Sequence, residues 1–384
     1  MKRTTTEVTQ PTLPLFDELT EDPSFLTNQL ITYIGNKRGM IDPIRSAIEL
    51  AVSRLGDKKL RMLDMFSGSG VVSRLMKRYA ATVIANDIEN YARVISECYL
   101  SNQSSVDLGY LVSLVDKFNL EARKAPRHGF IEKLYAPADE NDITTEDRVF
   151  YTKENARRLD TYRQLIETVP GTIRSLLLGP LLSEASIHAN TAGVFKGFYK
   201  DRDTGIGKFG GSGRDALSRI KGKITLSVPV LSRFDRDAEI YQLDANELVE
   251  KVGDIDLAYF DPPYNQHPYG SNYFMLNLLT EYVEPSDISQ VSGIPTNWTR
   301  SNYNIRAKSF PALADSIERV DARFVLLSFN DEGFISPGEL RTFLENIGQV
   351  EEFQHVYATF RGCRNLRERN IHVTEHLYLI DKQR

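Results

Sequence analysis

Two cysteines in 384 residues, Cys98 and Cys363, are too few for a disulfide framework or a four-cysteine zinc site. Both read as ordinary buried or half-buried thiols. No apolar run approaches the roughly 20 residues that cross a bilayer; SLLLGPLL at 175–182 is among the longest. The opening MKRTTTEVTQ is not followed by the apolar core of a signal peptide, so the expected location is the cytoplasm, with no membrane partner. Net positive charge is missing as well. A formal charge of -5 argues at first sight against a nucleic-acid partner, because affinity for phosphates comes from Lys and Arg. The average hides a gradient: Gly193 to Arg236 holds ten Lys or Arg against four Asp, and His355 to the end holds six against three acids. Each basic segment is either a solvated face or a phosphate-binding one.

What is present is enough apolar residue, 41%, to fill the core of one large domain or two of ordinary size. Residues 1–26 are rich in Thr and Pro without periodic apolar spacing and read as a mobile arm. From there strand and helix alternate. MIDPIRSAIELAVSRL (40–55) has helical spacing, LRMLDMF (60–66) is a short strand, VVSRLMKRYA (71–80) a helix, ATVIAND (81–87) a strand, and 91–102 a helix. This rhythm predicts an α/β fold, a doubly wound, Rossmann-like parallel sheet. It fails over 104–222, where a helical segment (147–168) is followed by the Gly-rich VFKGFYKDRDTGIGKFGGSGRD, and that stretch reads as an insertion. ITLSVPVL, AEIYQLDANELVEKV, DIDLAYF, RFVLLSF and HLYLID then resume the alternation, so 27–103 and 223–384 form one domain interrupted by 104–222.

Two loops carry chemistry. LDMFSGSG (63–70) ends a strand in glycines ahead of a helix, which lets backbone approach a ligand and aims helix N–H groups at it. Asp87 closes the next strand, 17 residues after Gly70, where an acid accepts hydrogen bonds from a ribose in nucleotide-type folds. The pair describes a site for an adenosine-containing cofactor. A nicotinamide cofactor would bring the full G-x-G-x-x-G, and here Gly68 and Gly70 are followed by Ser73. For the loop alone, the alternative is a tight turn that binds nothing.

The second loop is YFDPPY. Pro262 and Pro263 remove two backbone donors and bias Asp261 and Pro262 toward extended conformations, so the loop is stiff. It presents the Asp261 carboxylate and the Pro262 carbonyl as two fixed acceptors beside the Tyr264 ring. Such a set suits a planar base with an exocyclic NH2. That amine is a poor nucleophile, because its lone pair is delocalised; accepting both its hydrogens restores the lone pair while the ring stacks on Tyr264.

YIGNKRGMIDPI (33–44), DMFSGSG (64–70), NDIENY (86–91), LDANEL (243–248) and DPPY (261–264) together resemble, in order, the motifs of Dam-type S-adenosylmethionine-dependent DNA adenine-N6 methyltransferases, a group with many restriction-modification methylases. The resemblance implies that Tyr33, Lys37, Asp64, Phe66, Ser67, Gly68, Ser69, Gly70, Asp87, Asp244 and Asp261 surround S-adenosylmethionine, and that Asp261, Pro262, Pro263 and Tyr264 are catalytic. Dam itself has Trp where this chain has Tyr33, which keeps an aromatic face. The insertion becomes the target-recognition domain. NTAGVFKGFYK (190–200) resembles the loop that lies against DNA in this group, giving Asn190, Lys196, Tyr199 and Lys208 as contacts with double-stranded DNA. LLSFNDEG (326–333) and TFRGCRNLRERN (359–370) resemble late motifs, the latter giving Arg361, Arg364 and Arg369 as phosphate contacts. A cognate restriction endonuclease acting independently is the implied companion, and no metal is required.

The expected reaction is therefore methyl transfer to the N6 amine of a flipped adenine in a short DNA site. A cytosine-C5 methylase would need a nucleophilic cysteine, usually after proline; Cys98 follows Glu97 and Cys363 follows Gly362. Cytosine-N4 enzymes typically place Ser at the position of Asp261, and RNA adenine or protein amide methylases more often Asn. Those amine substrates, and a non-catalytic nucleic-acid-binding protein on the same fold, remain the alternatives at this point.

Overall fold

The computed structural model of the chain describes residues 20–56, 58–211, 215–358 and 372–383. Among them seven strands form one sheet: β1 (Arg61–Asp64), β2 (Thr82–Asn86), β3 (Asp237–Tyr241), β4 (Ile255–Phe260), β5 (Ala322–Asn330), β6 (Gln349–Ala358) and β7 (His372–Asp381). Their order is β3-β2-β1-β4-β5-β7-β6. The first five are parallel, and β7 runs antiparallel to both β5 and β6. All six residues of β4 are buried, as a strand covered on both faces requires. Its side chains divide by the strand's period of two. Leu257 and Tyr259, with Met62, Phe324 and Leu326, face the helix Ile41–Leu55. Ala258 and Phe260, with Leu63, Val325 and Leu327, face the helices Arg306–Arg319 and Pro337–Ile347. The chain leaves β1 toward β2 on one side and β4 toward β5 on the other. The crevice between their carboxyl ends is thus the switch point at which open parallel sheets bind ligands.

The segment 104–222 is helical where it has regular structure: Leu108–Lys124, Phe130–Tyr135, Lys153–Ile166, Gly171–Ile187 and Asp215–Lys221. It does not enclose a core of its own. Leu111, Phe118, Leu159, Tyr162, Leu177 and Leu181 share one apolar cluster with Tyr91, Ile95 and Cys98 of the helix Asn90–Tyr99 and with Phe274–Leu279 beyond the DPPY loop. The packing unit therefore runs past both 104 and 222. Gly179 lets its helix approach the helix Asn90–Tyr99 closely, since a Cβ there would lie 2.6 Å from the Cys98 sulfur. Cys98 is a buried packing residue whose thiol pKa burial pushes up; Cys363 lies outside the described residues.

Two expectations need correction, and one strand went unforeseen. The arm is docked from Pro23 onward, because Pro23–Thr27 forms a helix capped by Asp22, and Phe25 is buried with the Arg74 guanidinium 5.7 Å above its ring. ITLSVPVL is extended but joins no strand. Asn155 Oδ1 takes the Ile224 N–H at 3.0 Å, and Asn119 takes the Leu226 N–H and donates to its carbonyl, both at 3.0 Å, so two helix amides do the work of a neighbouring strand. β6 is a strand that its polar sequence QVEEFQHVYA conceals, as suits a charged sheet edge. No helix among the described residues is long and apolar enough to cross a membrane.

Candidate active site

At the switch point lies a cavity of about 670 Å3, its open mouth included, walled by Tyr33, Gly35, Phe66, Asn86, Asp87, Ile88, Glu89, Leu243, Asp244, Ala245, Asp261, Pro263, Tyr269, Thr299, Ser301, Tyr303 and Asn304. Local structure explains each wall. Gly68, at φ +49°, turns its N–H onto Asp87 Oδ2 at 2.8 Å, while the Glu89 N–H reaches Asp87 Oδ1 at 2.9 Å, so this carboxylate ties the glycine loop to the loop after β2. A Cβ on Gly68 would stand 2.9 Å from the Tyr33 ring; the glycine is needed for that aromatic to settle on the loop. Tyr33 in turn stacks on Tyr269 and Tyr273, with ring centroids 5.0 and 4.9 Å away. Asp244 caps the helix Ala245–Leu248 by accepting the Asn246 N–H at 2.9 Å.

The cavity is acidic. Just behind its wall, burial raises the pKa of Asp64 to about 7 against the Ser73 hydroxyl, which bonds Oδ2 at 2.5 Å. Oδ1 of Asp64 is buried without a hydrogen-bond partner. Burial likewise raises Asp87 to about 6 against its backbone donors, and Glu89 to about 8 against Asn277, whose amide donates at 2.6 Å. Among the described residues, neither Lys nor Arg lines the wall. Carboxyls held in this state without a cation gain from a positively charged ligand, and a sulfonium cofactor with adenosine and amino-acid ends fits that lining.

Behind one wall stands a polar cluster centred on Asp261. Its Oδ1 accepts the Tyr264 hydroxyl at 2.5 Å and pairs with Lys37 Nζ at 3.0 Å. Lys37 also bonds the Tyr264 hydroxyl and pairs with Glu375 Oε1 at 2.8 Å. Burial raises the pKa of Asp261 to about 6, opposed by Lys37 and reinforced by the Glu375 charge. The Tyr264 ring packs edge-on against Phe329 at 5.2 Å. Pro262 is buried and Pro263 half-buried on the cavity wall.

Of the residues expected around the cofactor, Tyr33, Phe66, Asp87, Asp244 and Asp261 line the cavity. Lys37, Asp64, Ser67, Gly68, Ser69 and Gly70 do not line it; of these, Lys37, Ser67 and Gly68 bond the lining residues Asp261, Asn86 and Asp87. Glu89, Tyr269, Thr299, Ser301, Tyr303 and Asn304 line it without having been expected. Glu89 sits in the NDIENY motif; the others come from the chain after DPPY, where no spacing marks them.

On the surface, Lys196 is exposed, and the pKa of His267, three residues beyond Tyr264, is depressed by burial and secondarily by the Lys196 charge. A backbone bond from Phe195 to the Asn272 carbonyl, 2.7 Å, fixes this neighbourhood. Tyr199 is half-buried, and the exposed Lys208 pairs with Asp201 at 3.1 Å. Asn190 is a correction. It is fully buried, its amide donating to the carbonyls of Val149 (2.7 Å) and Lys208 (2.9 Å) and accepting from Gly210 (2.9 Å), so it shapes the loop from inside. Arg361, Arg364 and Arg369 lie outside the described residues.

Residues 33–343 match the family described as D12 class N6 adenine-specific DNA methyltransferase. Among similar proteins, the Type II methyltransferase M.NlaIII of Neisseria lactamica is 29% identical over 363 residues, covering 92% of this chain and 99% of the relative. M.CviAII of Paramecium bursaria Chlorella virus 1 is 29% identical over 343 residues, 86% of this chain and 93% of its own. M.FokI of Planomicrobium okeanokoites is 24% identical over 358 residues, 91% of this chain but 52% of that longer protein. The family description names adenine N6 and DNA, which decides among the amine substrates that Asp261 alone left open. With its motifs gathered at the switch point of a seven-stranded sheet, and four-fifths of its length within the match, this chain belongs to the D12 class of N6 adenine-specific DNA methyltransferases.

Proposed function

We propose that the chain uses S-adenosylmethionine to methylate adenine N6 at a specific double-stranded DNA site, with Asp261, Pro262, Pro263 and Tyr264 as the catalytic loop. The observation that carries this reading is the Asp261 carboxylate, held at the tip of β4 in the wall of the same cavity as Asp87 and Asp244. When bound, the cofactor supplies an electrophilic methyl on a sulfonium. Tyr33, Phe66, Asp87 and Asp244 hold it, and the uncompensated carboxyls favour its positive charge. Asp261 and the Pro262 carbonyl accept the two hydrogens of the target amine, and Tyr264 offers its ring to the base. Drawing the adenine out of the duplex costs on the order of a few kcal/mol, offset by stacking and by these hydrogen bonds. Lys196 and its loop beside the DPPY segment meet the DNA backbone, with the helical layer around 104–222 as the target-reading part. A companion restriction endonuclease accords with the relatives' names. The test of the site is Asp261→Ala in a labelled-methyl transfer assay on unmethylated duplex DNA, with cofactor affinity measured in parallel. Transfer is expected to vanish while affinity falls far less; an active variant would remove Asp261 from its role.

A further inference from the structure

Glu375, on β7, belongs to no motif of the catalytic loop, yet it is completely buried against it. Its Oε1 pairs with Lys37 Nζ at 2.8 Å, accepts the Tyr264 hydroxyl at 3.1 Å and is also bonded by the Ser328 hydroxyl. Lys37 bonds both this carboxylate and Asp261 Oδ1, whereas the single Tyr264 O–H proton is shared between the two carboxylates and lies nearer Asp261 Oδ1, at 2.5 Å, than Glu375, at 3.1 Å. No protein hydrogen bond reaches Asp261 Oδ2 among the described residues, and Asp261 lines the cavity. One carboxylate thus anchors two donors, which load one oxygen of the other and leave its second oxygen for a substrate.

We infer that Glu375 is a positioning residue of the transfer reaction: through Lys37 and Tyr264 it pins Asp261 Oδ1 into the protein, so that Oδ2 is presented to the target amine. The inference rests on the reading that Asp261 receives that amine. A buried carboxylate is costly unless paired, and Ser328 and Lys37 supply the pairing here; a residue needed only to fill space between β5 and β7 would be apolar. The arrangement also sets how readily Asp261 ionises. The groups facing it are Lys37, Tyr264 and Glu375, with Asp64, Tyr259 and Tyr269 nearby. Lys37 favours the charged form, and the Glu375 anion opposes it. Removing that anion therefore lowers the pKa of Asp261, and removing Lys37 raises it.

The experiment uses the full chain. Single-turnover transfer to duplex DNA is followed from acid to neutral pH for the native protein, Glu375→Gln, Lys37→Met and Asp261→Ala, with melting and S-adenosylhomocysteine affinity measured beside it. Glu375→Gln is expected to fold, to keep its affinity within about threefold, to lose about tenfold or more in rate, and to show its acid limb at lower pH. Lys37→Met should move that limb upward. A native rate with an unmoved limb overturns the inference, as does a rate loss that merely parallels losses of affinity and stability. If Glu375→Gln does not fold, Glu375→Asp, which keeps the charge but withdraws it by one methylene, takes its place: a slower rate at native affinity supports the positioning role, and a native rate overturns it. If Asp261→Ala remains active, the reading of the site itself fails; if it is dead while Glu375→Gln behaves as native, only the present inference does.

Discussion

Asp261 is the stronger acceptor when ionised, because a proton on Oδ2 would face the amine as a donor, and its pKa is raised to about 6 by burial, with Lys37 resisting. The charged, active form is the one above that value, so transfer should decline as pH falls through about 6, read as the acid limb of the single-turnover rate. Glu89 makes a second prediction. Its pKa is raised to about 8, so the cavity gains negative charge between pH 7 and 9. S-adenosylmethionine should then gain affinity relative to uncharged-sulfur S-adenosylhomocysteine, by several-fold in calorimetric titration; an unchanged ratio would place Glu89 away from the sulfonium's field. Gly68→Ala is the third. At φ +49°, with the Tyr33 ring 2.9 Å from the new methyl, it should cost about 1–3 kcal/mol of local strain and weaken cofactor binding about tenfold or more. Single residues were legible in the sequence where a motif encloses them, as for Gly68, Asp87 and Asp261. Glu375 was not, since a lone acid in a terminal strand acquires meaning only when β7 is laid beside β5.

Elements were legible where period and burial agree. Ile41–Leu55 shows a helical apolar stripe and IDLAYF a continuous buried run, and both formed as read. ITLSVPVL has strand composition, but the helical layer intercepts it, with side-chain amides taking its backbone groups. That intercept predicts a cost. Asn155 is buried, donates to the Ile220 and Gly222 carbonyls at 3.3 and 2.8 Å, and accepts from Ile224. Asn155→Ala leaves those groups without partners and should lower stability by about 2–3 kcal/mol, seen as a reduced denaturation midpoint with the slope unchanged. The same scale governs the loop holding Lys196. Lys196→Ala should weaken binding to all duplexes alike and reduce the salt slope of affinity by about one, whereas loss confined to one sequence would make it a base reader.

Across the whole molecule, a net charge of -5 coexists with a DNA substrate because the charges are sorted. Carboxyls gather inside the switch-point cavity, where they suit a cationic cofactor, and Lys196 stands outside it beside the DPPY segment. The motif order conveyed the α/β sheet and its ligand crevice. The extent of the helical layer was not legible, because its core is built from residues as far apart as Tyr91 and Leu279, and no local pattern announces such a union. The central claim is adenine-N6 transfer, and its most direct measurement is the identity of the product base. Unmethylated duplex DNA is incubated with the full chain and isotope-labelled S-adenosylmethionine, then digested to nucleosides and resolved by mass spectrometry. Labelled N6-methyldeoxyadenosine as the sole new nucleoside is the predicted result; label in N4-methyldeoxycytidine, or no label in DNA at all, would contradict it.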